Sequence, residues 1–210
     1  MLEIELKSRE LKEYIYLELN KNRAEPIYDE DLAKITDLQL NTLDLIGEPT
    51  DVTIFDLIFF KNLKVCTLIN MNISDKEIDI LNKLDKLQFL QLDNCTFSNN
   101  KKLQLNLSDL VITNCENVEI SIYEEFKSLE SLHIVNCEDV DITGISKLNN
   151  LSKLFLQNLK LDEIDEVQEI KSLKYLNLNG SEIKNLEKIS NITGLEIEHN
   201  DINALYDEEF

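Results

Sequence analysis

Glycine and proline are scarce in this chain, with four and two copies among 210 residues. Because flexible linkers depend on such residues, we expect one folded domain without a long linker, and so few glycines form no phosphate-binding loop. Long apolar runs are also missing: none reaches the length of a membrane-spanning helix, and the N-terminal segment MLEIELK does not begin a secretory leader. We therefore expect a cytoplasmic protein if Met1 is the native start, and a secreted or surface protein if a leader precedes it.

Basic residues are few relative to acidic ones, 21 against 41, so the formal net charge is −20 at pH 7. The acidic residues are spread along the chain instead of being gathered in a tail. A negative field of this kind opposes binding to nucleic acids and to anionic membranes. It favours a basic protein as the partner, although the same charge also keeps a protein soluble without any partner.

Residues that commonly hold metals or perform catalysis are sparse. The two histidines, His133 and His199, stand in no metal-binding pattern, and the four cysteines show no C-x-x-C spacing. Carboxylates are so numerous that a pair of them does not single out a catalytic site. We therefore expect a protein that is not an enzyme and that uses no metal and no cofactor.

What the chain has in abundance is a repeat. The pattern L-x-x-L-x-L-x-x-(N/C/L)-x-(I/L/F), or a close variant, returns eight times at a pitch of about 22 residues. Apolar and polar residues alternate within each copy, which is the period of a strand with one buried face. One copy cannot bury its apolar row alone, so neighbouring copies must stack and share a core. The eight copies, called coils below, begin at Ile35, Leu63, Leu87, Leu107, Leu129, Leu151, Leu173 and Ile192.

Over residues 35–202 these coils resemble the leucine-rich-repeat family. The resemblance implies an α/β fold, a right-handed solenoid of about eight coils whose parallel β-sheet forms the concave side. The later coils are similar to the class of about 22 residues found in phosphatase regulators. The segment from Asp31 to Leu40, D-L-A-K-I-T-x-L-x-L, resembles the N-terminal cap of bacterial leucine-rich-repeat proteins. We therefore expect a helical cap over residues 1–34 and the solenoid, with a short C-terminal cover, over residues 35–210.

The cysteines fit the repeat in a regular way. Cys95, Cys115 and Cys137 share one position in successive coils, and Cys66 takes a core leucine position. Stacked cysteines at this separation raise the possibility of a disulfide or a redox or metal site. The resemblance favours structural thiols instead, since the coils of Cys115 and Cys137 look like the cysteine-containing class, in which a buried thiol packs the turn. Free buried thiols also fit a reducing compartment.

An asparagine precedes this turn position in five coils. Asparagine tolerates the left-handed backbone conformation and bonds to neighbouring backbone groups, so we interpret it as turn chemistry. The five residues are Asn70, Asn94, Asn114, Asn136 and Asn158.

Stacked coils need a cover at each end. Leu11, Tyr14, Ile15 and Leu19 stand at helical spacing within residues 7–21 and predict an N-terminal helix. A second short helix is expected from Asp29, as its N-cap, through Ala33.

The C-terminal cover is thin. Leu205, Tyr206 and Phe210 are expected to fold over the last coil. The alternatives are that the chain is a fragment or that this end is a contact surface.

The segments between strands differ in length and in helical signals. Ser74-x-x-Glu77 is a capping-box pattern and predicts a helix that follows it. Helices are also expected over 53–60 and 165–170. The segments 103–107, 143–148 and 185–190 are too short for more than extended or 3₁₀ structure.

Strand residues that point away from the core are the best candidates for a binding surface. In coils two to seven they form three columns of six positions, of which only three residues are charged. Depletion of charge together with aromatic residues is typical of an interface core, although strands favour aromatic and β-branched residues in any case. We predict apolar and aromatic anchors and orienting polar groups at Phe89, Asp93, Asp109, Val111, His133, Val135, Lys153, Phe155 and Tyr175.

Three functions remain open from the sequence. The first is a non-enzymatic, monomeric protein–protein interaction module that binds its partner on the concave face. The second is a secreted or surface adhesion module akin to the internalins. The third is an acidic inhibitor or neutraliser of a basic protein, suggested by the charge of −20.

Overall fold

A computed structural model describes residues 1–43, 50–97, 101–120, 126–162, 164–184 and 193–200. The chain divides into two compact units, Met1–Leu105 and Asn106–Phe210, which are described in turn as unit 1 and unit 2.

Unit 1 contains three of the predicted long strands, and each pairs with the next in parallel. Burial alternates along them, with the apolar residues inside, as the period-two pattern predicts. Two short strands follow the turns and pair with each other. In chain order the strands are β1 (Asp37–Asn41), β2 (Val65–Ile69), β3 (Asn72–Ile73), β4 (Phe89–Asp93) and β5 (Thr96–Phe97).

Unit 2 contains the other five long strands. In chain order the strands of this unit are β6 (Asp109–Thr113), β7 (Ser131–Val135), β8 (Lys153–Gln157), β9 (Lys160–Leu161), β10 (Tyr175–Asn177), β11 (Glu182–Ile183) and β12 (Glu196–Glu198). The long strands pair in parallel in the order β6, β7, β8, β10, β12, and the short strands β9 and β11 pair with each other.

The core of each unit is the row of apolar residues that the repeat aligns. The inward residues of the strands β2 and β4 in unit 1, and of β6, β7 and β8 in unit 2, are fully buried. Each such side chain contributes about 1.5–3 kcal/mol relative to exposure, and it can do so only against the equivalent side chains of the next coil. This shared burial fixes which face of every strand remains outside.

The N-terminal segment forms two helices in unit 1, α1 (Arg9–Glu18) and α2 (Asp29–Leu32). Leu11 and Ile15 of α1 are buried as predicted, whereas Tyr14 is exposed. Helix α2 begins at the predicted residue, but its N-cap is Tyr28. Asp29 is the first helical residue, and its carboxylate accepts hydrogen bonds from the backbone of Leu2 and Glu30.

Two carboxylates tie the start of α1 to the rest of unit 1. Asp56, which is buried, accepts hydrogen bonds from the backbone N–H groups of Lys7 and Ser8 at 2.8–3.0 Å. Asp51 accepts from the N–H of Arg9 at 2.8 and 2.9 Å. Such charge-assisted bonds satisfy backbone donors that a helix leaves free at its N-terminus.

The connecting segments form helices where their sequences predict them, but two of the three are 3₁₀ helices. Helix α3 (Asp75–Leu81) follows Ser74, whose N–H donates to the Glu77 carboxylate at 3.1 Å. The segments predicted at 53–60 and 165–170 are 3₁₀ helices over Ile54–Phe59 and Asp165–Glu169. A further 3₁₀ turn occupies Ile145–Lys147, and residues 185–190 lie outside the described residues.

The five turn asparagines all adopt the predicted left-handed backbone, with φ between 50° and 58°. Their amides also bond to one another from coil to coil. In unit 1, Asn94 Nδ2 donates to Asn70 Oδ1 at 2.6 Å; in unit 2, Asn158 Nδ2 donates to Asn136 Oδ1 at 2.7 Å. These side-chain ladders brace the turns that follow the strands.

All four cysteines are free and buried, as the structural interpretation predicts. Cys95 Sγ donates to the Leu68 carbonyl at 3.3 Å, and Cys137 Sγ lies 3.4 Å from the Val135 carbonyl. Burial raises the pKa of the Cys66 thiol to about 12. Ser181 occupies the same turn position two repeats after Cys137 and donates to the Leu156 carbonyl at 2.8 Å. The position therefore serves as a buried donor to the turn backbone.

Two expectations remain predictions. The proposed C-terminal cover, Leu205, Tyr206 and Phe210, lies outside the described residues. The boundary between a cap over residues 1–34 and a solenoid over residues 35–210 is not tested by the helices and strands themselves.

Gly180 takes the ladder position in the seventh coil, and its replacement by alanine should destabilise unit 2. Its φ is +75°, and an added Cβ would lie 1.9 Å from Asn158 Oδ1. Gly194 is a matched control, because its φ is +84° but an added Cβ would meet nothing within 4 Å. Backbone strain should cost about 1 kcal/mol in both variants, and G180A should lose about 1 kcal/mol more as the Asn158 amide is displaced. Urea unfolding measures both changes, and equal losses would contradict the ladder's role.

The buried thiols should resist alkylation in the folded protein. At about pH 8 an exposed cysteine is partly thiolate and reacts readily, whereas Cys66 is buried and its pKa is about 12. Mass spectrometry after brief iodoacetamide treatment should find no modified cysteine in the folded chain and four in concentrated guanidinium chloride. Rapid modification of folded Cys66 would show that this core opens easily.

Candidate functional site

Seven of the nine predicted binding residues lie on strands of unit 2 and point away from its core. They form, with the other outward residues of β6, β7, β8, β10 and β12, a surface called the outer face below. The strand register places His133 between Val111 on β6 and Phe155 on β8, and Lys153 between Ser131 and Tyr175. The seven residues are Asp109, Val111, His133, Val135, Lys153, Phe155 and Tyr175.

Three rings form a continuous stack along the middle of the outer face. The rings of His133 and Phe155 are parallel within 9°, with centroids 3.9 Å apart. The Tyr175 ring follows at 5.2 Å from Phe155, tilted by 49°. All three side chains are partly exposed, so the stack is a surface and not part of the core. Stacked and tilted aromatic pairs contribute favourable energy beyond the area that they bury.

His133 is held in place from its own strand. Ser131 Oγ lies 3.0 Å from His133 Nε2, and Ser131 is buried although its strand position points outward. Burial lowers the pKa of His133, and Lys153 acts in the same direction, while Asp109 opposes the change. The imidazole is therefore neutral at pH 7, and this end of the stack carries no charge.

Asn177 organises the other end of the stack. Its buried side chain donates from Nδ2 to Tyr175 Oη at 3.1 Å and to Glu198 Oε2 at 2.8 Å. Its Oδ1 accepts from Gln157 Nε2 at 3.1 Å and from the Asn179 N–H at 3.0 Å. One amide thus fixes side chains from three neighbouring strands.

The predicted polar residues lie at the margin of the stack. Lys153 is exposed beside Tyr175, and the Asp109 carboxylate accepts a hydrogen bond from Ser108 Oγ at 2.6 Å. Both act electrostatically on His133. The face therefore has an uncharged centre with charges around it, which is the distribution of an interface core and rim.

Phe89 and Asp93, the remaining two predicted residues, belong to β4 of unit 1. Both are partly exposed, and their register partners on β2 are Val65 and Ile69. They lie on the outward side of their strand, as predicted.

Sequence reasoning missed Ser131, Asn177, Glu196 and Glu198. Ser131 and Asn177 belong to the three columns of outward positions but not to the nine predicted binding residues, and both are buried. Glu196 and Glu198 lie on β12, whose outward residues were not included in the predicted columns. The same period-two alternation identifies them, because Ile197 between them is the inward residue.

A depression of about 790 Å³ on unit 2 lies at the turns and not at the ring stack. It includes Glu138, Asp141, Lys160 and Asp162 but not His133. Across the described ranges, no group of three or more His, Cys, Asp and Glu side chains is arranged to hold a metal ion. Nor does any helix in the same ranges have the length and apolar character to cross a membrane.

Comparisons with solved structures identify the fold. The internalin inlF from Listeria monocytogenes str. 4b F2365 matches with a TM-score of 0.66 at 19% identity, over 94% of this chain and 65% of the internalin chain. Internalin C2 from the same strain matches with a TM-score of 0.60 at 18% identity, over 92% and 93% of the two chains. A leucine-rich-repeat protein of Leptospira interrogans matches with a TM-score of 0.50 at 21% identity, over 80% of this chain and 49% of the Leptospira chain.

The chain thus spans less than two thirds of the inlF chain. No protein-family model and no curated protein matches the sequence. The class of about 22 residues per coil remains a prediction. The parallel strands within each unit, together with these structural neighbours, show that the chain has the leucine-rich-repeat fold.

Proposed function

We propose that this protein is a non-enzymatic interaction module that binds a protein partner on the outer face. The observation that carries the proposal is the stack of His133, Phe155 and Tyr175, partly exposed and held in one arrangement on parallel strands. Exposed rings with an uncharged centre and a charged margin suit a protein interface.

The contacts around the rings support this proposal. Ser131 orients His133, and Asn177 orients Tyr175. Side chains that are already ordered lose little conformational entropy when a partner binds. Aromatic rings in such positions are the residue type that most often contributes strongly to binding energy.

The chain's charge of −20 favours a basic partner and opposes nucleic acid and anionic membranes. The proposed protein is a monomer in the cytoplasm, because this reducing compartment keeps thiols free and all four cysteines are free.

A secreted or surface module is the second candidate. It is favoured by the internalin neighbours, one of which, Lmo2445 of Listeria monocytogenes, is described as a secreted internalin-like protein (TM-score 0.52, 14% identity, over 94% of this chain and 67% of that one). Fractionation of cells that produce the native gene product separates the two.

Replacing Val111 and Phe155 by aspartate should abolish binding to the outer face. Both residues are partly exposed and flank His133, so two carboxylates there add repulsion and remove apolar contact without entering the core. A random dodecapeptide library displayed on phage is selected on the immobilised wild-type protein. Enriched peptides should bind V111D/F155D at least about 30-fold more weakly, as expected for a lost binding hot spot.

The matched control is L17D/I58D, which adds the same charge at two exposed apolar residues of unit 1. It should bind the enriched peptides as the wild type does. Peptides that bind V111D/F155D as tightly as the wild type, or a selection that enriches none, would overturn the proposal.

The uncharged centre of the outer face predicts the titration of His133. Because burial lowers its pKa, the NMR midpoint of the His133 ring should lie below 6.5, its ordinary value. The F155A substitution removes the ring that covers the imidazole, so water should reach His133 and the midpoint should rise. F155L keeps an apolar side chain over the imidazole and should raise the midpoint less.

The same shift sets the sign of a stability effect. The folded protein holds the His133 proton less tightly than the unfolded chain does. The contribution of His133 to stability is therefore present above pH 6.5 and is lost as the pH falls through 6.5 toward the folded pKa. A midpoint at or above 6.5 would show that the imidazole is not shielded by the stack.

A further inference from the structure

One end of the outer face combines an aromatic ring with carboxylates. The register pairs Tyr175 with Glu196 and Asn177 with Glu198 across β10 and β12. Glu196 and Glu198 are both exposed, and both act on the Tyr175 hydroxyl. Glu196 therefore stands directly across from Tyr175, about 4.8 Å away at the backbone, and Glu198 is the diagonal neighbour of Tyr175 on the same face.

The geometry at this end is fixed before any partner arrives. The Asn177 amide, buried with 5% of its surface exposed, donates to both Tyr175 Oη and Glu198 Oε2, and its own oxygen is bonded from two sides. The carboxylate of Glu198 is thus held next to the Tyr175 ring by a side chain that cannot easily turn.

The local field favours a cation. The Asn177 amide lowers the pKa of the Tyr175 hydroxyl, but burial, Glu198 and Glu196 outweigh it, so the net pKa is raised. Negative charge therefore dominates at the ring. Of the described residues, none forms an ion pair with Glu196 or Glu198. Lys153 lies on the opposite side of Tyr175 from Glu196 in the strand register.

An arginine side chain fits this combination best. A guanidinium group stacks on an aromatic face and forms two parallel hydrogen bonds to a carboxylate, whereas an ammonium group offers only a point charge. Building on the proposed function, we propose that this end of the outer face binds an arginine of the partner protein, with its guanidinium over Tyr175 and bonded to Glu198.

The test uses N-acetyl-arginine amide as the probe and N-acetyl-citrulline amide, its uncharged analogue, as the comparison. NMR titration of the full chain should show saturable shifts at Tyr175, Asn177 and Glu198 with the arginine probe and none with the citrulline probe. Equal shifts with both probes, or shifts confined to other residues, would overturn the proposal.

Two variants and one control sharpen the result. E198Q keeps an oxygen for the Asn177 hydrogen bond, so the fold should remain, yet its affinity for the arginine probe should fall at least about fivefold. Y175L removes the ring and should weaken binding similarly. E182Q neutralises an exposed carboxylate on β11 and should leave binding unchanged. An unchanged affinity in E198Q would overturn the proposal.

The peptides selected on the wild-type protein separate this inference from the proposed function. If they depend on Val111 and Phe155 and also weaken with E198Q, both stand. If they depend on Val111 and Phe155 but carry no arginine and tolerate E198Q, the arginine site fails and the proposed function stands. If no peptide depends on Val111 and Phe155, the proposed function fails, and binding of the arginine probe alone decides whether the cation site exists.

Discussion

The apolar side chain at every second strand position can be buried only by packing against the equivalent side chain of the next coil. In unit 2, Leu110, Leu132, Leu154 and Leu176 meet in register in this way and are fully buried. Since burial of each side chain contributes about 1.5–3 kcal/mol to stability, a shift of strand register would lose the burial energy of the whole row. The same constraint turns the intervening residues outward in every strand, so the core determines where a binding surface can exist but not what it contains.

The turns between strands satisfy this constraint with a small set of residues. Asparagine takes the left-handed backbone at the end of the strand, and cysteine or serine then donates into the turn from inside. The asparagine amides join one coil to the next, as between Asn136 and Asn158. Core packing does not determine which residues occupy the outward strand positions. In unit 2 these positions hold the three rings of the stack, a lysine and several carboxylates. The residues of the outer face can therefore vary without disturbing the core, so this is where residues suited to a partner can stand.

Much of the architecture follows from local sequence rules, and much of the site does not. Strand positions, the turn asparagines, buried thiols and the helix after Ser74 are set by spacing within a few residues, so the sequence predicts them. Ser131 and Asn177 occupy outward positions, yet both are buried. The bond from Asn177 to Glu198 joins residues 21 apart and depends on strand register, which no local pattern reveals. The second helix of the N-terminal segment likewise takes Tyr28 and not Asp29 as its cap, because Asp29 bonds to distant Leu2.

Hydroxyl-radical footprinting of the protein, free and saturated with the tightest peptide from a random library, tests the central claim most directly. The account predicts that Phe155 and Tyr175 on the outer face become protected, while exposed Leu17 and Ile58 of unit 1 react as before. Protection of Leu17 or Ile58 with Phe155 and Tyr175 unchanged would show that the protein binds through another surface, and would contradict the account.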